Sequence, residues 1–447
     1  MRPISCFLLI LSALVLLPAL VLLPSVTIAE SLKPQGDPKA LQNYVDAKDD
    51  SFAWNLLGKH ELPQDLGTAY NVELTSQTWQ GMKWKHLLVI FEPKNLTQPD
   101  HCLLFITGGR TDSKIRDGDL LAGAKLANMS GTYCAYLLQV PNQPLMGDKF
   151  EDDLISETFL KYLESGDETW PLLFPMTKSA VKAMDAIQEI TTKYRDVPVE
   201  KFVVTGGSKR GWTTWLTGVV DKRVAGIAPI VIDTLNLQPQ MKHQIEIWGK
   251  YSEQIADYTR KGLVKVMQEQ PEIPLWRWVD PYTYRKQLTL PKLLINGTND
   301  RYWVVDALNI YWDGLIGDKY ILYVPNAGHG LGDGKEFALT SLAAFVKHLA
   351  TDTAMPELKW EHSKSDGQLQ LNVSSTPKPR AVRLWSATSD NGDFREVKWN
   401  STPMKQDDNC YHGQVPVPGQ GNAALYGEAQ FVIDGLKYSL TTQIHRE

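Results

Sequence analysis

Short continuous apolar runs separated by amphipathic stretches fill most of the chain, and a strict two-residue alternation replaces them near the C-terminus. Residues 30–50 are polar and read as an extended lead-in. Ala69–Trp79 and Trp84–Phe91 flank Gln80-Gly81-Met82-Lys83 and predict an antiparallel hairpin. His101–Gly109 and Tyr133–Val140 are apolar throughout, as suits strands covered on both faces of a parallel sheet. A crossover around Gly123–Asn128 joins them. Glu151–Tyr162 and Met176–Tyr194 have helical periodicity and lead into a β-branched run, Phe202–Thr205. Strands are expected again at Val224–Ile232, Lys292–Asn296 and Tyr320–Val324, then a helix at Glu336–Leu349. Strands alternating with helices behind an opening hairpin predict an α/β fold with a doubly wound, mostly parallel sheet over residues 30–355.

Two segments depart from that rhythm. Residues 234–290, between two expected sheet strands, are rich in helix formers and aromatics, including Trp248, Tyr258, Trp276 and Trp278. An insert that enters and leaves at the carboxyl ends of strands lies over the site of such a sheet, so a helical lid is expected there. Over residues 356–447, seven short alternating runs are punctuated by turns such as Ser365-Asp366-Gly367 and Asp390-Asn391-Gly392. They predict an all-β sandwich of immunoglobulin-like or fibronectin-like type.

Composition narrows the setting. The chain is 43% apolar and carries a net charge of −5 with no basic block, so it can form a sizeable core and is not expected to bind nucleic acid. Arg2, the apolar run Phe7–Leu23 and the small-residue exit at Ala29 predict a cleaved export signal over residues 1–29. No later run is as long, so no membrane span is expected after cleavage and the location is periplasmic or secreted; the alternative is that the run stays uncleaved as a membrane anchor. Cys102, Cys134 and Cys410 remain. The first two sit in expected strands and form either a disulfide, if those strands are neighbours, or two buried thiols. No spacing suits a metal, and no cofactor is expected.

The chemistry gathers around Lys201–Gly218. A strand closes on Gly206 and Gly207, presents Ser208 and continues as a helix, which is how an α/β-hydrolase exposes a nucleophile. Gly206 and Ser208 fit G-x-S-x-G, but Arg210 stands where the second glycine belongs and Gly211 follows it, a departure expected to affect helix packing more than catalysis. A serine hydroxyl needs a base and an orienting acid, which in this fold follow in chain order on loops after strands. Asp300 follows the strand at 292–296, and His329, between Gly328 and Gly330, follows the strand at 320–324. Asp233 is the alternative acid, whereas His243 and His348 lie in the insert and in a helix. The N–H groups of Lys209 and Gly109 are the expected oxyanion donors. Arg110 either meets an acidic substrate group or is solvated. The run Gly328–Lys335 resembles a phosphate loop only weakly.

Thr205–Gly218, Leu293–Trp303 with its Asp300, Pro325–Leu331 around His329, and the Arg383–Ser389 and Asp393–Arg395 segments resemble the PhoPQ-activated pathogenicity-related protein family. The resemblance implies an exported α/β-hydrolase in which Ser208, Asp300 and His329 match nucleophile, acid and base. The family name reports no reaction; the general α/β-hydrolase pattern leads to a small ester or peptide substrate, and the aromatic insert and added C-terminal strands to the alternative, a catalytically silent binding or signalling protein. The C-terminal strands are expected either to bind a protein partner or to brace the insert.

Overall fold

The computed structural model describes residues 39–447. The expected export signal lies outside the described residues. Strands β1 (Ala53–Glu61), β2 (Gly67–Trp79) and β3 (Met82–Pro93) pair antiparallel, and Gln80 and Gly81 turn the expected hairpin with φ of 47° and 75°. The sheet continues through β4 (Gln98–Ile106), β5 (Thr132–Leu137), β6 (Lys201–Gly207), β7 (Val224–Ile230), β8 (Lys292–Gly297) and β9 (Lys319–Val324). Its order is β1-β2-β3-β5-β4-β6-β7-β8-β9, parallel from β5 onward.

Helices α1 (Ala40–Asp46), α4 (Leu173–Arg195) and α5 (Lys209–Val220) pack on one face, and α2 (Asp117–Ser130) and α10 (Lys335–Ala350) on the other. Two apolar clusters result, and successive strand residues alternate between them: Cys102, Leu104 and Ile106 face one, Leu103 the other. The polar lead-in is helical rather than extended over Ala40–Asp46, because Ala40, Leu41 and Val45 bury against α4. Lys178 donates to the carbonyls of Tyr44 (3.3 Å) and Ala47 (2.6 Å) at the end of this helix. β1 escapes pattern reading because it is an edge strand with most of its side chains in solvent.

The segment between β7 and β8 is helical as expected, with α6 (Leu237–Trp248), α7 (Ala256–Arg260), α8 (Leu263–Glu269) and α9 (Pro274–Val279). Together with α3 (Glu151–Ser165) it stands at the carboxyl edge of the sheet. Lys261 of the insert bonds to Asp153 and Ser156 of α3.

The C-terminal strands are antiparallel and form two layers. One holds β10 (Glu357–Ser365), β11 (Gln368–Thr376), β14 (Lys405–Asp407) and β15 (Cys410–Pro416). The other holds β12 (Ala381–Ser389), β13 (Asn400–Pro403), β16 (Asn422–Ile433), β17 (Leu436–Thr441) and β18 (His445–Arg446). Leu384 packs over Gly413 and Val373 over Gly427, where a glycine lets the layers close on each other. The second layer also continues the central sheet, since Thr441 of β17 pairs with Ile321 of β9 and its hydroxyl accepts from the N–H of Tyr323 at 3.0 Å. One of the seven alternating runs, Glu396–Thr402, predicts a strand that here begins only at Asn400. Before it, the backbone at Phe394, Val397 and Trp399 bonds to two asparagines of the α/β part instead of to a strand.

Cys102 lies opposite Tyr133 and Cys134 opposite Leu103, a one-residue stagger that puts the two thiols on opposite faces of the sheet. Both are free, so the disulfide alternative falls away. Burial pushes both thiols up in pKa. In the native protein a thiol reagent should therefore modify Cys410 and leave Cys102 and Cys134 untouched until denaturant is added. A Cys102–Cys134 cross-link in a non-reducing mass measurement would contradict the arrangement.

Candidate active site

Parallel register brings the ends of β4, β6, β8 and β9 to one edge: Ile106 lies beside Gly206, and Gly297 beside Val324. Each of these ends carries one of the expected groups. Ser208 has φ 58° and ψ −122°, a conformation that L-residues rarely adopt and that costs about 1–3 kcal/mol. The turn is fixed by Ser208 N–H donating to Ile230 O (2.8 Å) and Trp212 N–H donating to Ser208 O (2.9 Å). Helix α5 starts at once and approaches the sheet closely. A Cβ on Gly211 would lie 2.7 Å from Ile232 Cγ2 and 2.9 Å from Gly206 O. Gly211 therefore meets the small-residue requirement that the motif assigns one position earlier.

Ser208 Oγ donates to His329 Nε2 at 2.8 Å, and His329 Nδ1 donates to Asp300 Oδ2 at 2.8 Å. Asp300 is buried, and its Oδ1 accepts from the N–H of Tyr302 at 2.9 Å. The imidazole is thus held with its proton on Nδ1 and its lone pair toward the hydroxyl. Lys209 occupies the first position of α5, where its N–H has no helical acceptor, and Gly109 has φ 111°, open only to glycine. The loop around Gly109 leaves β4 next to the serine strand. Arg110 stays in solvent, paired with Asp112 at 3.3 Å.

Other histidines are engaged elsewhere. His243 Nε2 bonds Asp306 at 2.7 Å, and His348 Nε2 bonds the Tyr438 hydroxyl at 2.8 Å. Asp233 does not meet His329 but accepts the Tyr311 hydroxyl at 2.6 Å. Burial, with the charges of Asp300 and Asp306 nearby, pushes its pKa up to about 7.

Residues 41–395 match the sequence profile described as PhoPQ-activated pathogenicity-related protein. The chain belongs to that family. It is 34% identical over 379 residues to Autocrine proliferation repressor protein A of Dictyostelium discoideum, covering 80% of this chain and 76% of that one. Acetyl xylan esterase 1 from a Thermoanaerobacterium species superposes with a TM-score of 0.50 at 14% identity, over 70% of this chain and 92% of that one. At that identity the likeness is one of fold, and the fold is that of the α/β-hydrolases.

In this member of the PhoPQ-related family the departure at Arg210 acts on the site itself and not only on helix packing. Its guanidinium fills the space where a Cβ on Gly108 would sit, beside the Gly109 loop. It donates from Nε to Val140 O (2.6 Å) and pairs through both terminal nitrogens with Glu151 (2.6 and 2.7 Å). Burial opposes ionisation of Glu151, but hydrogen bonds and charge from Arg210, then the Lys209 charge, outweigh it and hold the pKa at about 2. One residue on, Asp152 accepts from Lys209 Nζ (2.8 Å), Tyr258 (2.9 Å) and Tyr302 (3.3 Å). The Tyr302 ring stacks on His329 with centroids 4.1 Å apart. Glu151, Asp152, Tyr258 and Tyr302 belong to no motif that marks them as site residues. The signs the sequence offers are the place of Tyr258 in the insert expected over the site and the aromatic pair Tyr302-Trp303 just past Asp300.

Beside this cluster, Phe159, Trp212, Tyr258, Met267, Trp276 and Trp303 line an apolar cavity under the insert. Its walls do not include Ser208, Asp300 or His329. Several insert aromatics are core rather than groove: Trp278 is fully buried, with its ring centroid 5.2 Å from that of Tyr162.

Two substitutions test the electrostatics. Folding lowers the Glu151 pKa, so its contribution is complete above about 4.5 and disappears as pH falls through about 2. Because Glu151 is partly exposed, solvent limits the pair to about 1–2 kcal/mol. Glu151→Gln should lower Tm by about 1–2 °C at pH 7, and the difference should shrink toward pH 2. For Asp233, folding raises the pKa, so its carboxyl costs stability as pH rises from 3.8 through about 7. The Tm of Asp233→Asn relative to wild type should therefore improve between pH 4 and pH 8, by at least about 3 °C. A difference that does not change with pH would contradict a buried, largely uncharged Asp233.

Proposed function

We propose that this protein is an exported serine hydrolase that cleaves an ester or amide bond by way of an acyl-enzyme. The observation that carries the reading is the pair of 2.8 Å hydrogen bonds running from Ser208 through His329 to Asp300. Ser208 Oγ attacks the carbonyl carbon while His329 Nε2 takes its proton, and Asp300 holds the imidazole and stabilises the imidazolium. The N–H groups of Lys209 and Gly109 receive the developing oxyanion, each contributing about 3 kcal/mol. His329 then protonates the leaving alcohol or amine, and water, deprotonated by the same imidazole, releases the acyl group. Export is supported by the sequence pattern of residues 1–29, which reads as a leader. Among the described residues no helix is long and apolar enough to cross a membrane. The substrate is a small ester or a peptide, and the insert at 234–290 acts as a lid over it.

A second reading has one observation in its favour. The Dictyostelium relative is named for repressing proliferation and not for a reaction, which fits a binding or signalling protein on a hydrolase scaffold. In that case Ser208→Ala would act as wild type does in a growth assay.

A fluorophosphonate probe separates the two. Wild type should be labelled at Ser208, Ser208→Ala should not be, and Asp300→Asn should react about 10³–10⁴-fold more slowly. Labelling that persists in Ser208→Ala would contradict the serine mechanism. A panel of p-nitrophenyl esters, thioesters and peptides then assigns the bond cleaved.

A further inference from the structure

The acid and the base both sit on loops, the least constrained backbone of a sheet edge, yet such groups must be held to within about 0.5 Å to work. The two loops are stitched to each other. Thr298 N–H donates to Val324 O (3.1 Å) and Asn299 N–H to Ala327 O (2.9 Å). The N–H of Asn326 donates to the Thr298 hydroxyl (2.9 Å), which donates in turn to Asn299 Oδ1 (2.8 Å).

Both loops are also tied to the non-strand segment 393–399 of the C-terminal region. Asn299, next to Asp300, donates through Nδ2 to Val397 O (2.7 Å) and Phe394 O (3.1 Å). Asn326, three residues before His329, makes a two-way bond with one residue's backbone: Nδ2 to Trp399 O (3.0 Å), and Trp399 N–H to Oδ1 (2.7 Å). Phe394 and Trp399 anchor the segment, being buried at 2% and 1% exposure. On the other side of Asp300, Arg301 bonds to Glu396 and to Glu253 of the insert. Arg395 pairs with the same Glu253 (3.2 Å) and lies 4.1 Å above the ring of Trp248.

We propose that segment 393–399 is a strap that sets the distance between acid and base, with Asn299 and Asn326 as positioning residues acting through Asp300 and His329. The inference rests on the triad reading above. It gives the C-terminal strands a role inside the active site: they present backbone carbonyls and an N–H where the α/β part has asparagines to meet them. It also accounts for the loss of strand structure before Asn400, since those backbone groups are committed to the loops. The contacts to Glu253 and Trp248 extend the same strap to the insert, so the insert and both loops share one anchor.

The test uses the full mature chain. Asn299→Ala removes the donor to Phe394 and Val397. Asn326→Gly removes the amide while keeping the left-handed backbone, φ 55°, free of strain. Lys364→Ala, which breaks a surface pair with Glu447 in the same region, is the control. Two readouts are taken: the rate of fluorophosphonate labelling, and the low-field proton resonance of His329 Nδ1–H, assigned by its absence in His329→Gln. Both asparagine variants should label at least about tenfold more slowly and show that resonance broadened or lost, while Lys364→Ala matches wild type. Unchanged rates and an unchanged resonance in both asparagine variants overturn the strap. If wild type shows no Ser208-dependent labelling, the serine mechanism fails, and the resonance alone decides: loss in Asn299→Ala or Asn326→Gly supports positioning, and persistence in both overturns it. Should Asn299→Ala fail to fold, Asn326→Gly carries both readouts.

Discussion

The close approach of α5 to the sheet at the end of β6 is the constraint on which the rest of the structure depends. Ser208 can hold φ 58° and ψ −122° only because nothing larger than hydrogen projects from Gly206 and Gly211 into the contact. The strained turn lifts the hydroxyl to the carboxyl edge, where parallel strands bring their loops together. It also points the first N–H groups of α5 at the place where an oxyanion would form. A side chain at either glycine would push the helix away and separate hydroxyl from imidazole.

Around that turn the charged groups are arranged to fix backbone rather than to meet solvent. Arg210 occupies the space above Gly108 and locks the β4 loop, the start of α3 and helix α5 into one unit. Asp152 joins Lys209, the insert through Tyr258, and the ring that stacks on His329. Pairs of this kind contribute little net stability because desolvation offsets attraction. Their use is geometric, and breaking one leaves a buried charge without its partner.

Much of this is legible in the sequence. Parallel strands read as unbroken apolar runs, and the residues Ser208, Asp300 and His329 follow strand ends in an order that the fold imposes. Two-residue alternation reveals the C-terminal strands. What cannot be read depends on partners distant in the chain. Arg210 looks like a packing exception because Gly108 and Glu151, which explain it, are far away in sequence. The alternation from Glu396 to Thr402 predicts a strand, but Asn299 and Asn326 compete for its backbone groups. Cys102 and Cys134 sit on adjacent strands, and only the one-residue stagger of the register sends them to opposite faces.

The most direct measurement is a crystal structure of the protein after reaction with a phosphonate ester. The account predicts continuous density from Ser208 Oγ to phosphorus. The phosphoryl oxygen should lie within hydrogen-bond distance of the N–H groups of Lys209 and Gly109, with His329 Nε2 facing the departed group. A phosphorus bonded to another residue, or a phosphoryl oxygen turned away from both N–H groups, would contradict it.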